Sequence, residues 1–209
     1  VPLVVIDLAS VETYFLVPAL SGLAVEAHGA MWYPLISEPA PLDLDIDTAS
    51  AHAKRLQLPF VRPERHPTPV PRAMRLAALA AARGQAAIFS IRATRLAWAT
   101  GADLDRLGED HDVDGADADD DPAAYLPLMM EEIGVELGEA RRAAEDGSDW
   151  DLELHSIAGR LQRLGVGAAP TLRWRGRLYT GHIAISSVLA ETETLDGNSE
   201  RRQPPTGGA

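Results

Sequence analysis

The chain has 209 residues, 31 acidic against 19 basic for a formal charge of −12, 46% hydrophobic residues and no cysteine. That length fits one domain, or one domain carrying a large insertion, with enough apolar sequence to bury a core. The acidic balance argues against a nucleic-acid binder, and the missing cysteines exclude disulfides, thiolate metal sites and cysteine nucleophiles together.

Residues 3–7 read as a buried strand that ends at Asp7, and residues 11–27 read as a helix in which Pro18 places a kink. Ser10 stands where the turn between them becomes the helix. Such a turn suits chemistry, because a helix N-terminus has N–H groups without intrahelical partners and the positive end of the dipole. GAMWYPL (29–35) is a second strand, and the Pro- and Asp-rich residues 36–47 form a loop. Residues 47–58 look helical, and LPFVRPERHPTPVP (58–71) is extended. Residues 72–83 form a strong helix ended by Gly84, followed by another over 85–100. An acidic loop spans 101–122, and a helix over 123–145 breaks near Gly134. SDWDLELHSIAGRLQRLG (148–165) is an amphipathic helix that Ser148 or Asp149 can cap, with Trp150, Leu154, Ile157, Leu161 and Leu164 as its stripe. TLRWRGRLYTG (171–181) is a hairpin around Gly176, and 183–191 is a last helix before a polar tail.

Strands at both ends must pair with each other to bury their faces, so the helical block is an insertion between two halves of one sheet. The expected division is a discontinuous unit of residues 1–36 and 155–192, a helical insertion over 37–154 and a mobile tail over 193–209. No basic stretch precedes an apolar run of signal-peptide length, and no apolar run is long enough to span a bilayer. A soluble cytoplasmic protein with no membrane partner is the expectation.

GVGAAPTL (165–172) is the most telling stretch. A Gly-rich turn leads into Ala169-Pro170 directly before a strand, where proline is tolerated and where a cis bond would present the preceding backbone groups to a ligand. With the Ser10 turn, the inserted helices and the closing hairpin, this chain resembles the DsbA-like thioredoxin superfamily. Its nearest branch resembles the 2-hydroxychromene-2-carboxylate isomerases and the kappa-class glutathione transferases. IDLASVETYF is similar to the family's Asp-x-x-Ser-Pro-x-Ser-Tyr start, RHPTPVPRAMRLAALAAARG to its Pro-rich approach to an Ala-Met-Arg helix, and RLGVGAAPTLRWRGRLYTGH to its Gly-Val-x-Gly-Val-Pro-Thr loop and hairpin.

The resemblance implies an α/β, thioredoxin-like fold with a large all-helical insertion. It implies Ser10 as the catalytic residue, stabilising the thiolate of bound glutathione or another low-molecular-weight thiol. Val11, Ala169, Pro170, Gly181, His182 and Ile183 would bind that cofactor. It also implies a homodimer and a small, apolar or aromatic substrate, isomerised by addition of the thiolate, bond rotation and departure. The residues themselves leave open that Ser10 only caps its helix. They also leave open a relative that binds another small molecule, and a catalytically silent binding or interaction protein. The chain departs from the pattern at Val11, where the family has proline, and at Glu12, whose carboxylate opposes a nearby thiolate. After the hairpin, His182, Ile183 and Ala184 replace the family's Gly-x-Asp-Arg continuation.

Other candidates are less specific. EDHDVDGADADDD (109–121) matches part of a calcium loop through Asp110, Asp112, Asp114 and Asp121, and equally suits a solvated acidic loop. The histidines, His28, His52, His66, His111, His155 and His182, lack zinc-hydrolase spacing, so no metal is expected from them. No nucleophile elbow, Walker loop or dinucleotide fingerprint is present. Trp32, Tyr33, Met74 and Trp98 suit either plain core or an aromatic wall at the cleft between sheet and insertion.

Overall fold

A computed structural model describes residues 1–20, 30–36, 45–62, 70–105 and 125–200. The acidic run with Asp110, Asp112, Asp114 and Asp121 lies outside the described residues, as do His28, His66, His111 and the predicted first helix beyond residue 20.

Among the described residues, four strands form one sheet in the order β2-β1-β3-β4, with β1 Leu3–Ile6, β2 Met31–Pro34, β3 Thr171–Trp174 and β4 Arg177–Thr180. β1 is LVVI and every residue is buried, as a strand covered on both faces requires. β2 lies parallel to β1 and β3 antiparallel to it, so the two ends of the chain do pair in one sheet. The β3–β4 hairpin turns through Arg175 and Gly176, both with positive φ. That pair of left-handed residues gives the turn a twist matching the strands.

The first helix, α1 Val11–Phe15, is followed by a turn at Leu16 and further helical backbone over 17–20. The break falls just before Pro18, which has no N–H to bond the Tyr14 carbonyl. The described helices of the block are α2 Ile46–Arg55, α3 Pro71–Ala82, α4 Ala86–Thr100, α5 Tyr125–Glu132, α6 Leu137–Ala144 and α7 Asp149–Arg163. Helix α3 is the hub. Ala73 to Ala80 are all buried, and the helix packs on α4, α6, α7 and β2. Its alanines let several neighbours approach closely. Its end is a Schellman cap, in which Gln85 N–H donates to Ala80 O at 2.8 Å and Gly84 N–H to Ala81 O at 3.0 Å. The predicted break near Gly134 separates α5 from α6.

Two expectations need correction. Ser148 occupies the N-cap position of α7, but its hydroxyl makes no cap bond and donates instead to Ala143 O at 3.1 Å. The last helix, α8 His182–Glu200, runs nine residues past the predicted end at 191. Trp32, Met74 and Trp98 belong to the core, at 6%, 0% and 1% exposure, and Trp98 stacks on Phe60 with centroids 6.0 Å apart. Tyr33 reaches the surface, where the Arg160 guanidinium lies 5.8 Å from its ring. No helix among the described residues is long and apolar enough to cross a membrane.

Candidate active site

Sheet topology brings the sequence candidates to one end of the sheet. Ile6 is level with Pro34, and Val5 with Thr171, which is level with Thr180. The ends of β1, β2 and β4 and the start of β3 therefore meet there. The Ser10 turn, the Ala169-Pro170 loop and the Gly181-His182 junction all follow or precede these residues directly.

The Ser10 turn is built by Asp7, a residue not picked out from sequence as part of the site. Its carboxylate accepts the Ala9 N–H at 2.9 Å and its carbonyl accepts the Ser10 N–H at 3.1 Å. An Asp at a strand end, three residues before a helix N-cap, was the available signal. Ser10 has the extended backbone of an N-cap residue (φ −84°, ψ 123°), and its carbonyl accepts the Thr13 N–H at 3.1 Å. Its hydroxyl makes no cap hydrogen bond and the residue is half-buried. The hydroxyl is thus uncommitted to its own helix. The Val11 side chain is buried in the core, so only its backbone can serve one.

The Ala169-Pro170 bond is cis. Pro170 O accepts the Gly181 N–H at 3.0 Å, which ties the loop to the end of the hairpin. Thr171 Oγ1 donates to Ala168 O at 2.8 Å and lies 3.0 Å from Thr180 Oγ1, bracing the same corner. Ala169 is half-buried and its N–H and C=O take no partner among the described residues. They offer an extended ligand one donor and one acceptor. Ile183, at 69% exposure, stands outside this corner on the solvent side.

Glu12 does not face an open site. Its Oε2 accepts the His182 N–H at 3.2 Å, so the carboxylate caps α8 from another helix. Its Oε1 lies 3.7 Å from His182 Nδ1, a charge contact too long for a hydrogen bond. The His182 side chain does most to hold the Glu12 carboxyl below its ordinary value. Burial opposes this, and the His182 N–H and the nearby His52 add to it. Gly181 leaves room for the arrangement, since it has φ +83° and a Cβ there would sit 3.3 Å from Glu12 Oε2. The His182 ring is buried, with His52 4.5 Å and Phe15 5.3 Å away between centroids. His155 is exposed on α7, its Nδ1 2.7 Å from Asp151 O, away from this group. No three His, Asp or Glu side chains among the described residues converge as a metal site.

No protein-family model and no curated protein matches the sequence. Solved structures do. The chain is similar to 2-hydroxychromene-2-carboxylate isomerase with a TM-score of 0.69 at 15% identity, over 97% of this chain and 99% of that one. It is also similar to the cytosolic disulfide reductase DsbM from Pseudomonas aeruginosa, determined with GSH. There the TM-score is 0.58 at 18% identity, over 93% of this chain and 98% of that one. The chain has the DsbA-like thioredoxin fold with an inserted helical block, and it carries that fold without a cysteine.

Proposed function

We propose that the chain is a thiol-dependent isomerase or transferase that binds glutathione, or another low-molecular-weight thiol, at Ser10. The observation that carries this reading is the Ser10 hydroxyl, uncommitted to its own helix and held at the sheet end shared with the Ala169-Pro170 loop. The chain has no cysteine, so it cannot itself run disulfide exchange. A bound thiol supplies the nucleophile, and its reactive form is the thiolate.

The residues present fit a peptide-like thiol. Ser10 donates a hydrogen bond to the sulfur and favours its charged form. The free Ala169 N–H and C=O pair with the ligand's backbone. Asp7 fixes the turn that aims Ser10. The solved neighbours named for an isomerase and for a GSH-bound reductase support the same class of chemistry. A second reading, a catalytically silent relative that binds a small molecule or a partner, draws on Glu12. Its carboxylate already takes the His182 N–H, a donor otherwise open to an anionic ligand.

Calorimetric titration with glutathione tests the proposal, with the sulfur's ionisation followed by thiolate absorbance as pH is varied. Saturable binding is expected, with the bound thiol ionising at lower pH than the free one. No binding at millimolar glutathione, or of other low-molecular-weight thiols, would overturn the enzyme reading in favour of the silent relative.

A further inference from the structure

We propose that Glu12, His52 and His182 form a proton-operated clasp between α1, α2 and α8, closed while His52 is neutral and loosened when His52 takes a proton. The clasp rests on side-chain geometry and is independent of the thiol reading.

The three helices meet through these side chains. Phe15 on α1 lies 4.7 Å from the His52 ring and 5.3 Å from the His182 ring, and the two imidazoles meet edge-on at 4.5 Å. Arg55 Nη2 lies 2.8 Å from His52 Nδ1. A guanidinium can only donate, so Nδ1 must offer its lone pair. That fixes His52 as the neutral tautomer with its proton on Nε2. Protonation of Nδ1 removes this acceptor and sets two N–H donors against each other.

The charges facing His52 are unevenly arranged. On its own helix Arg55 is a permanent cation. From α8 it meets His182, buried with neither ring nitrogen hydrogen-bonded among the described residues. From α1 only Glu12 is attractive, and that carboxylate is already committed to His182 through the 3.2 Å bond to its N–H and the 3.7 Å contact to its ring. The Glu12 carboxylate therefore serves His182, whereas a proton on His52 meets Arg55 first. Consistent with this, burial foremost, then His182 and Arg55, hold the His52 imidazole below its ordinary 6.5, with Glu12 opposing. A histidine whose folded value is depressed contributes stability that is complete above its unfolded value. That contribution is lost as pH falls from about 6.5 through the folded value.

The test compares urea unfolding of the full chain and of His52→Gln between about pH 8 and pH 5, with imidazole NMR on the unsubstituted chain. Glutamine keeps an oxygen to accept from Arg55 but does not titrate. The unsubstituted chain's unfolding constant should rise on acidification more steeply than that of the variant. The difference should approach at most about tenfold per pH unit within the His52 window. NMR should show His52 as the Nε2–H tautomer at neutral pH, taking its proton at lower pH in the folded chain than in the urea-unfolded one. Equal pH dependence in the two chains would overturn the clasp. So would a His52 that is already charged at neutral pH, and that result needs no folded variant.

Discussion

Replacing Arg75 with alanine is expected to destabilise the chain by about 3 kcal/mol, the lower end for breaking a buried ion pair. Arg75 stands on the hub helix α3 with only 5% of its surface exposed. Its Nε donates to Asp151 at 2.6 Å, and its Nη1 donates to Asp146 at 2.7 Å and to the Ala144 carbonyl at 3.0 Å. One guanidinium thus ties α3 to the end of α6, the connecting loop and the first turn of α7. Asp146 is 79% exposed and regains water readily, so its share is small. Asp151, at 31%, and the Ala144 carbonyl lose partners where water replaces them poorly. For a chain of this size the loss corresponds to a fall in Tm of roughly 6–12 °C. Arg75→Met keeps the apolar stem and should recover only the packing part.

The same site predicts a pH dependence. Arg75's hydrogen bond holds the Asp151 carboxyl below its ordinary 3.8, and the Gly147 N–H adds to this against burial. A depressed carboxylate gives stability that is present above the unfolded value and lost as pH falls through the folded one. The stability gap between the unsubstituted chain and Arg75→Ala should therefore close in acid. Urea unfolding of both from about pH 7 to about pH 3 checks this. A constant gap would mean that packing around the stem, rather than the ion pair, is what the substitution removes.

Arg75 also marks where sequence reading stops. Its partners lie 71 and 76 residues away, so no local pattern distinguishes it from a surface arginine. Glu12 is a similar case. From sequence its carboxylate opposes a neighbouring thiolate, but a partner 170 residues on turns it toward α8. By contrast, the Ser10 turn, the Ala169-Pro170 loop and the Gly176 hairpin were legible because each depends on a few adjacent residues. Their order places the helical block between two halves of one sheet, and the family resemblance they carry implied the fold class. Local signals also misled in two places. Ser148 has the right type and position for a cap, but the Ala143 carbonyl near the end of α6 competes for its hydroxyl and wins. The polar sequence after residue 191 would not start a helix, yet α8 runs on through it. Extending a formed helix adds one bond per residue fixed, without the cost of a nucleus.

Ser10→Ala separates a ligand role from a structural one, because the two predict opposite pairs of results. A serine that caps its helix through its hydroxyl loses about 1 kcal/mol of stability on replacement by alanine. Ser10 makes no such bond, so the stability of the variant should lie within about 0.5 kcal/mol of the unsubstituted chain. The bound thiol should respond instead. A hydrogen bond to a charged group contributes about 1.5–3 kcal/mol, and one pKa unit is about 1.4 kcal/mol. Loss of the Ser10 donor should therefore raise the ionisation pH of bound glutathione by roughly 1–2 units. Near neutral pH this removes most of the thiolate, and thiol-dependent turnover should fall by about ten- to a hundredfold. Thiolate absorbance against pH and urea unfolding measure the two halves on the same samples. A destabilised variant that leaves the thiol's ionisation unchanged would make Ser10 a structural residue after all. The thiol would then owe any activation to the neighbouring backbone.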